Sequence, residues 1–203
     1  MIIILAGGKS TRMGKEKPVL RIANKPMLLW VYEQASKVDE VLVAVSRNTP
    51  KTKEFCIKER IPFVETSGKG YVHDIQELLR EFGPFISISA DVPFVKASDF
   101  WLIKKAFDGK TSLTGVLSLS IVPKDLNPVV YKGYAIVGLN AVAEEGEEFL
   151  EFTNPLLALN VNTPEELKRA ERIASVLFGK HTCSTSPQAG FSPPRHSDLA
   201  RPC

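Results

Sequence analysis

The chain has 203 residues, enough for one compact domain with a sizeable core and too few for two large ones. Hydrophobic residues make up 44% and charged residues 24%, which excludes a disordered or fibrous chain, and no apolar run reaches the roughly 18–20 residues of a membrane-spanning helix. Lys plus Arg number 26 against 23 Asp plus Glu; a net charge of +3 is too mild for nucleic-acid binding but leaves room for a local basic site facing a phosphorylated ligand.

Met1-Ile-Ile-Ile-Leu-Ala has neither a basic leader nor a small-residue cleavage site, so Ile2 to Ala6 reads as a first strand, not a signal peptide. A helical stretch follows from Pro26 to Lys37, then a strand from Val41 to Val45 and a second helix from Pro50 to Arg60. Ile61 to Val64 and Phe85 to Ser89 are further strands, each apolar almost throughout, as expected of parallel strands covered on both faces. Between them Ile75, Leu78, Leu79 and Phe82 draw one apolar stripe on a helix beginning after Gly70. Such alternation implies right-handed crossovers, hence a three-layer α/β domain with a mostly parallel central sheet.

The second half is less regular. Leu113 to Val122, Ala135 to Leu139 and Leu157 to Val161 read as strands. Thr163-Pro164-Glu165-Glu166 reads as a helix start, with Thr163 as N-cap and Glu166 closing a capping box. Leu167, Ala170, Ala174 and Leu177 would be the buried stripe and Gly179 the stop. From His181 to Cys203 prolines and serines replace large apolar residues, so the folded domain is set at residues 1–180 and 181–203 reads as a disordered or non-native tail. Cys56, Cys183 and Cys203 are odd in number and share no CxxC spacing; with no disulfide or zinc framework, a reducing cytoplasm is the expected setting.

The chemistry concentrates in Leu5-Ala6-Gly7-Gly8-Lys9-Ser10-Thr11-Arg12-Met13-Gly14-Lys15-Glu16-Lys17-Pro18. A glycine-rich loop leaving a strand lets backbone N–H groups approach a phosphate chain without interference from Cβ atoms. Ser10 and Thr11 add hydroxyls, and Arg12 and Lys17 add two cations. The spacing is neither GxGxxG nor GxxxxGK(S/T), which argues against a dinucleotide-binding domain and a P-loop ATPase. After the fourth strand, Asp91 in Ser89-Ala90-Asp91-Val92-Pro93 places a carboxylate at a strand tip, where Mg²⁺ bridging nucleotide phosphates would be held. Asn48 offers a donor and an acceptor to a purine edge, and Thr66-Ser67-Gly68 can approach a flat base through its backbone.

The first loop resembles the signature of nucleotidyltransferases, which load a nucleoside triphosphate onto a phosphorylated acceptor. Ser46-Arg47-Asn48-Thr49-Pro50-Lys51-Thr52-Lys53-Glu54 and Glu65-Thr66-Ser67-Gly68-Lys69-Gly70-Tyr71 are similar, over about residues 1 to 178, to the archaeal GTP:adenosylcobinamide-phosphate guanylyltransferases within the MobA-like superfamily. The resemblance implies a Rossmann-like nucleotidyltransferase fold and transfer of GMP from GTP to adenosylcobinamide phosphate. Arg12, Lys17 and Asp91 would carry catalysis, and Leu5 to Arg12, Lys17, Ser46, Asn48 and Thr66 to Gly68 would bind nucleotide. It places a divalent metal on Asp91, with Asn162 as second ligand, and the acceptor near the stretch from Asn127 to Asn140, including Tyr131, Lys132 and Asn140. Asp74 is read as orienting the acceptor or a basic loop. A molybdopterin guanylyltransferase and a non-catalytic GTP-binding module are the competing readings. Oligomeric state is left open, a homodimer included.

Overall fold

In the computed structural model, which describes residues 1–178, the β-branched run Ile2–Leu5 forms strand β1, with Ile2, Ile3 and Ile4 wholly buried. Side chains alternate across a strand, so such burial requires a layer on each face. A short hairpin, β2 (Arg21–Ile22) and β3 (Lys25–Pro26), leads into helix α1 (Met27–Ala35). Then come β4 (Val41–Ser46), α2 (Pro50–Glu59), β5 (Phe63–Thr66), α3 (Tyr71–Phe82), β6 (Phe85–Ser89) and α4 (Ala97–Ala106). The second half holds β7 (Thr111–Ser118), β8 (Val130–Tyr131), β9 (Tyr134–Val142), β10 (Glu145–Phe152), a 3-10 turn at Pro155–Ala158 and α5 (Pro164–Phe178).

The main sheet runs β10-β7-β9-β6-β1-β4-β5, with β8 beside β9. β1 pairs parallel with β4 and β6, β4 with β5, and β7 with β10, while β9 runs antiparallel to β6 and β7. Ile2 and Ile4 join Met27, Leu28 and Val31 of α1, Cys56 of α2, Phe100 of α4 and Ala170 and Ala174 of α5 in the larger core. Ile3, Ala44 and Phe85 pack on the other face against Leu78 of α3. From β1 the chain steps outward to β4 and β5, and α3 carries it back across the opposite face to β6. The order therefore reverses between β1 and β6. In open α/β sheets such a reversal parts the loops at the carboxyl ends of the strands and opens a crevice there.

Several boundaries differ from the sequence-based expectation. The strand expected at Ile61 begins at Phe63, because Arg60 turns left-handed (φ 54°) and the Ile61 amide donates to Cys56 O to close α2. β7 stops at Ser118, beyond which Leu119 and Ile121 are exposed. Leu157–Val161 is no strand. Leu157, Ala158, Leu159 and Val161 are buried, which gives the segment its strand-like apolar run, but they lie in and after a 3-10 turn, outside the sheet. β10, unforeseen, is a glutamate-rich strand at the sheet edge, where charge discourages pairing with another chain. The α5 start forms as expected: Glu166 N donates to Thr163 Oγ1 (3.2 Å) and Thr163 N donates to Glu166 Oε2 (2.9 Å). Leu177 is 53% exposed, and Ile173 packs on the core in its place. Gly179 and the proposed tail at 181–203 lie outside the described residues. Among the described residues no helix is long and apolar enough to cross a membrane.

Candidate active site

The crevice at the β1/β6 reversal is a cavity of about 470 Å³. Its floor is the end of β1 and the glycine loop, with Leu5 to Ser10 and Lys17 on the wall. The loop is turned by two left-handed residues, Ser10 (φ 48°) and Gly14 (φ 63°), and the Met13 and Gly14 amides donate to Ser10 O. Gly7 lies close against the next strand: a Cβ there would stand 3.2 Å from the Ser46 Cβ, and Ser46 Oγ donates to Gly7 O at 2.7 Å. Ser46 is thus buried behind the loop, bracing it. Thr11 and Arg12 stand outside the cavity wall, both exposed, and the Arg12 guanidinium has no hydrogen-bond or salt-bridge partner among the described residues.

Across the crevice, Lys17 meets the loop after β6. Its ammonium donates to Asp91 Oδ2 at 2.5 Å and to Asn162 Oδ1 at 2.8 Å. The three residues span 145 positions of sequence and converge on one point. Asp91 is aimed by Ser89, whose Oγ donates to Asp91 Oδ1 at 2.6 Å, and its own carbonyl accepts from Val161 N at 2.9 Å. That bond draws the segment before α5 against β6. The capping box then sets Asn162, whose amide donates to Glu166 Oε2 at 2.6 Å. Two hard oxygens around one cationic centre also fit the donor set Mg²⁺ takes from protein when phosphates and water complete its shell. Asn160 is not part of this cluster; its Oδ1 is buried without a partner among the described residues.

The far end of the cavity is built by the loops after β4 and β5. Gly68 (φ 64°) has both peptide groups engaged: its N–H donates to Asp74 Oδ1 at 3.0 Å, and Asn48 Nδ2 donates to its carbonyl at 3.1 Å. A Cβ at Gly68 would sit 2.7 Å from Asn48 Nδ2, so glycine is required there. The Asn48 donor expected to meet a base is therefore spent on the loop, leaving its Oδ1. Thr66 reaches the cavity, but its hydroxyl donates to Val45 O at 3.2 Å. Ser67 lies off the cavity wall, and its amide donates to Glu77 Oε2 at 2.8 Å, a bond that holds the Glu77 carboxyl below its ordinary value.

Two residues with structural weight at the site were not singled out from sequence. Glu16, beside Lys17, accepts from the α2 amides of Lys51 (3.0 Å) and Thr52 (2.8 Å) and from Thr52 Oγ1 (2.8 Å). It caps α2 and ties the glycine loop to it. Ser89, the last residue of β6, stands two positions before Asp91 and bonds it across the turn, a proximity visible in the sequence. Asn140, expected on the acceptor side, is instead part of the sheet. β7 and β9 slip register around Gly115, and Asn140 Oδ1 accepts the Gly115 amide at 3.1 Å. Register at Ile88–Leu139 carries the start of β9 beyond the end of β6, to the Asp91 edge. There Tyr131 and Tyr134 flank Phe149 at 6.1 and 5.8 Å between ring centroids, with the Lys132 ammonium 5.0 Å from the Tyr131 ring. Cys56 is buried, and burial pushes its thiol up to about 11, so it is no nucleophile.

Comparison with known proteins agrees with this geometry. Residues 2–151 match the MobA-like NTP transferase domain. The chain is 33% identical to the adenosylcobinamide-phosphate guanylyltransferase of Methanocaldococcus jannaschii, over 84% of this chain and 95% of that protein. A probable molybdenum cofactor guanylyltransferase of Aquifex aeolicus is 28% identical over 82% of this chain and 87% of its own length. Among solved structures, the molybdopterin-guanine dinucleotide biosynthesis protein A of Archaeoglobus fulgidus superposes with a TM-score of 0.65 at 21% identity, covering 86% of this chain and 98% of that one.

Proposed function

The chain belongs to the MobA-like NTP transferase family, and on that premise we propose that it transfers GMP from GTP to adenosylcobinamide phosphate, yielding adenosylcobinamide-GDP and pyrophosphate. The observation that carries this reading is the likeness, along most of the chain, to the M. jannaschii guanylyltransferase. The site geometry supports it: a glycine loop, a lysine and a strand-tip carboxylate meet at the sheet's reversal point. An acceptor phosphate oxygen attacks the α-phosphorus of GTP in line as the bond to pyrophosphate breaks. That oxygen is already ionised at neutral pH, so the protein needs no general base and contributes position and charge.

Amides of the Gly7–Ser10 loop hold the phosphates, and the Lys17 ammonium neutralises charge developing around the α-phosphate. Arg12, on the solvent side of the loop, serves the departing pyrophosphate. Asp91 and Asn162 would hold a divalent ion, which supplies Lewis-acid charge neutralisation to the triphosphate when bound. The acceptor lies on the β9 side of Asp91, against the Tyr131, Tyr134 and Phe149 edge, whose apolar rings suit a large macrocycle. Asp91 is kept oriented throughout by Ser89 and the Val161 amide. The reaction is placed in the cytoplasm.

The A. aeolicus relative makes molybdopterin the acceptor to test against. Purified protein with GTP and a magnesium salt is given either acceptor, and pyrophosphate release is followed. Release with adenosylcobinamide phosphate alone is the expected result. Release with molybdopterin alone would move the chain to the other acceptor, and GTP binding without release from either would make it a nucleotide-binding module.

A further inference from the structure

We propose that the Asp74 carboxylate is the specificity-determining acceptor that selects guanine, an inference that rests on the guanylyltransferase reading above. Strand order sets the direction of a bound nucleotide. Lys17 and Asp91 mark the phosphate end, at β1 and β6. The cavity runs from there past β4 to the loop after β5, and with neighbouring strands about 4.8 Å apart the β5 loop lies roughly 14 Å from the β6 loop. The base therefore falls at the Gly68–Asp74 end.

Near that end three side-chain donors are already committed. Asn48 Nδ2 donates to Gly68 O, Thr66 Oγ1 to Val45 O and Ser46 Oγ to Gly7 O. Asp74 lines the cavity and spends only Oδ1, on the Gly68 amide at 3.0 Å; its Oδ2 takes no hydrogen bond among the described residues. Asn48 Oδ1 stands as a second acceptor nearby. A carboxylate accepts only, so it favours a base edge that presents donors. Guanine does so through N1–H and the adjacent 2-amino group. Adenine brings a bare N1 lone pair to the same place, and two acceptors face one another. The Gly68 bond fixes the carboxylate so that it meets the base without reorganising.

The test separates base reading from loop bracing. Asp74→Asn keeps an oxygen for the Gly68 amide but turns the second oxygen into a donor. Calorimetric Kd values for GTP, ATP and XTP are compared in both proteins, and Glu77→Gln, which loosens only the Ser67 bond, serves as the bracing control. Wild type should prefer GTP. In Asp74→Asn, GTP binding should fall about tenfold to a hundredfold, and the GTP-to-XTP preference should drop by at least about tenfold, because xanthine offers an oxygen where guanine has its amino group. Glu77→Gln should weaken all three triphosphates alike. A wild type that prefers GTP, with Asp74→Asn weakening every base by the same factor, would reduce Asp74 to a brace and overturn the proposal. A wild type with no preference for GTP over ATP would defeat the guanylyltransferase reading itself, and this inference with it.

Discussion

The two halves of the central sheet handle polar groups in opposite ways. In β1, β4 and β6, covered by α1 and α2 on one face and α3 on the other, the strands are almost purely apolar and polar side chains gather in the loops at the carboxyl edge. In β7, β9 and β10 polar groups lie within the strands: Asn140 accepts the Gly115 amide, and Thr114 Oγ1 donates to Glu147 Oε1 at 2.9 Å on an exposed face. Polar residues of the first half thus gather at the loop edge, where Asp91 faces the crevice while Ser46, Asn48 and Thr66 bond the backbone around it, whereas Asn140 in the second half satisfies the sheet itself. The same residue type carries different information in each. Asn162, in the loop before α5 that the Val161 amide ties to the end of β6, and Asn140, inside β9, illustrate it, one aimed at Lys17 and one at a backbone amide.

Substitutions sharpen this contrast. Lys17→Ala should have the largest effect: GMP transfer falls by about 10²- to 10³-fold, the scale of removing one preorganised charge-stabilising donor. The melting temperature should change little, since the side chain packs no core. Rapid-quench pyrophosphate release beside a thermal melt checks both, and near-normal transfer would remove Lys17 from the chemistry. Asn140→Ala should do the reverse. It strands the Gly115 amide and costs about 1–3 kcal/mol in urea unfolding, while KM for the corrinoid acceptor stays put; a raised acceptor KM with unchanged stability would return Asn140 to the site. Glu16→Ala sits between the halves of this logic and should be the mildest. Losing its cap on α2 costs about 1 kcal/mol, and a loosened loop lowers kcat severalfold, with Glu16→Gln recovering part of both. A drop in melting temperature with kcat intact would leave Glu16 a helix cap only.

Lys17 and Asp91 were picked out from short local patterns, a glycine loop after a strand and an acid at a strand tip, and Asn162 from the family resemblance. Their meeting was not, because the contacts join positions 74 and 145 residues apart. Glu16 shows the limit most plainly. Nothing beside it in the chain points to the α2 amides 35 and 36 positions away. Leu157–Val161 shows the converse error, since an apolar run can be buried without any ladder when a loop is pressed into a core. β10 escaped notice because an edge strand facing solvent needs little apolar alternation.

Local order therefore came from the chain itself. Apolar runs, helix caps and a glycine-rich turn act over a few residues, and they were enough to specify an α/β sheet with a glycine-rich loop after its first strand. Tertiary structure alone decided which side chains share the crevice, which polar groups are consumed by the backbone, and where the cavity ends. Those outcomes depend on strand order and register, and long-range packing sets both once the two faces of the sheet are covered.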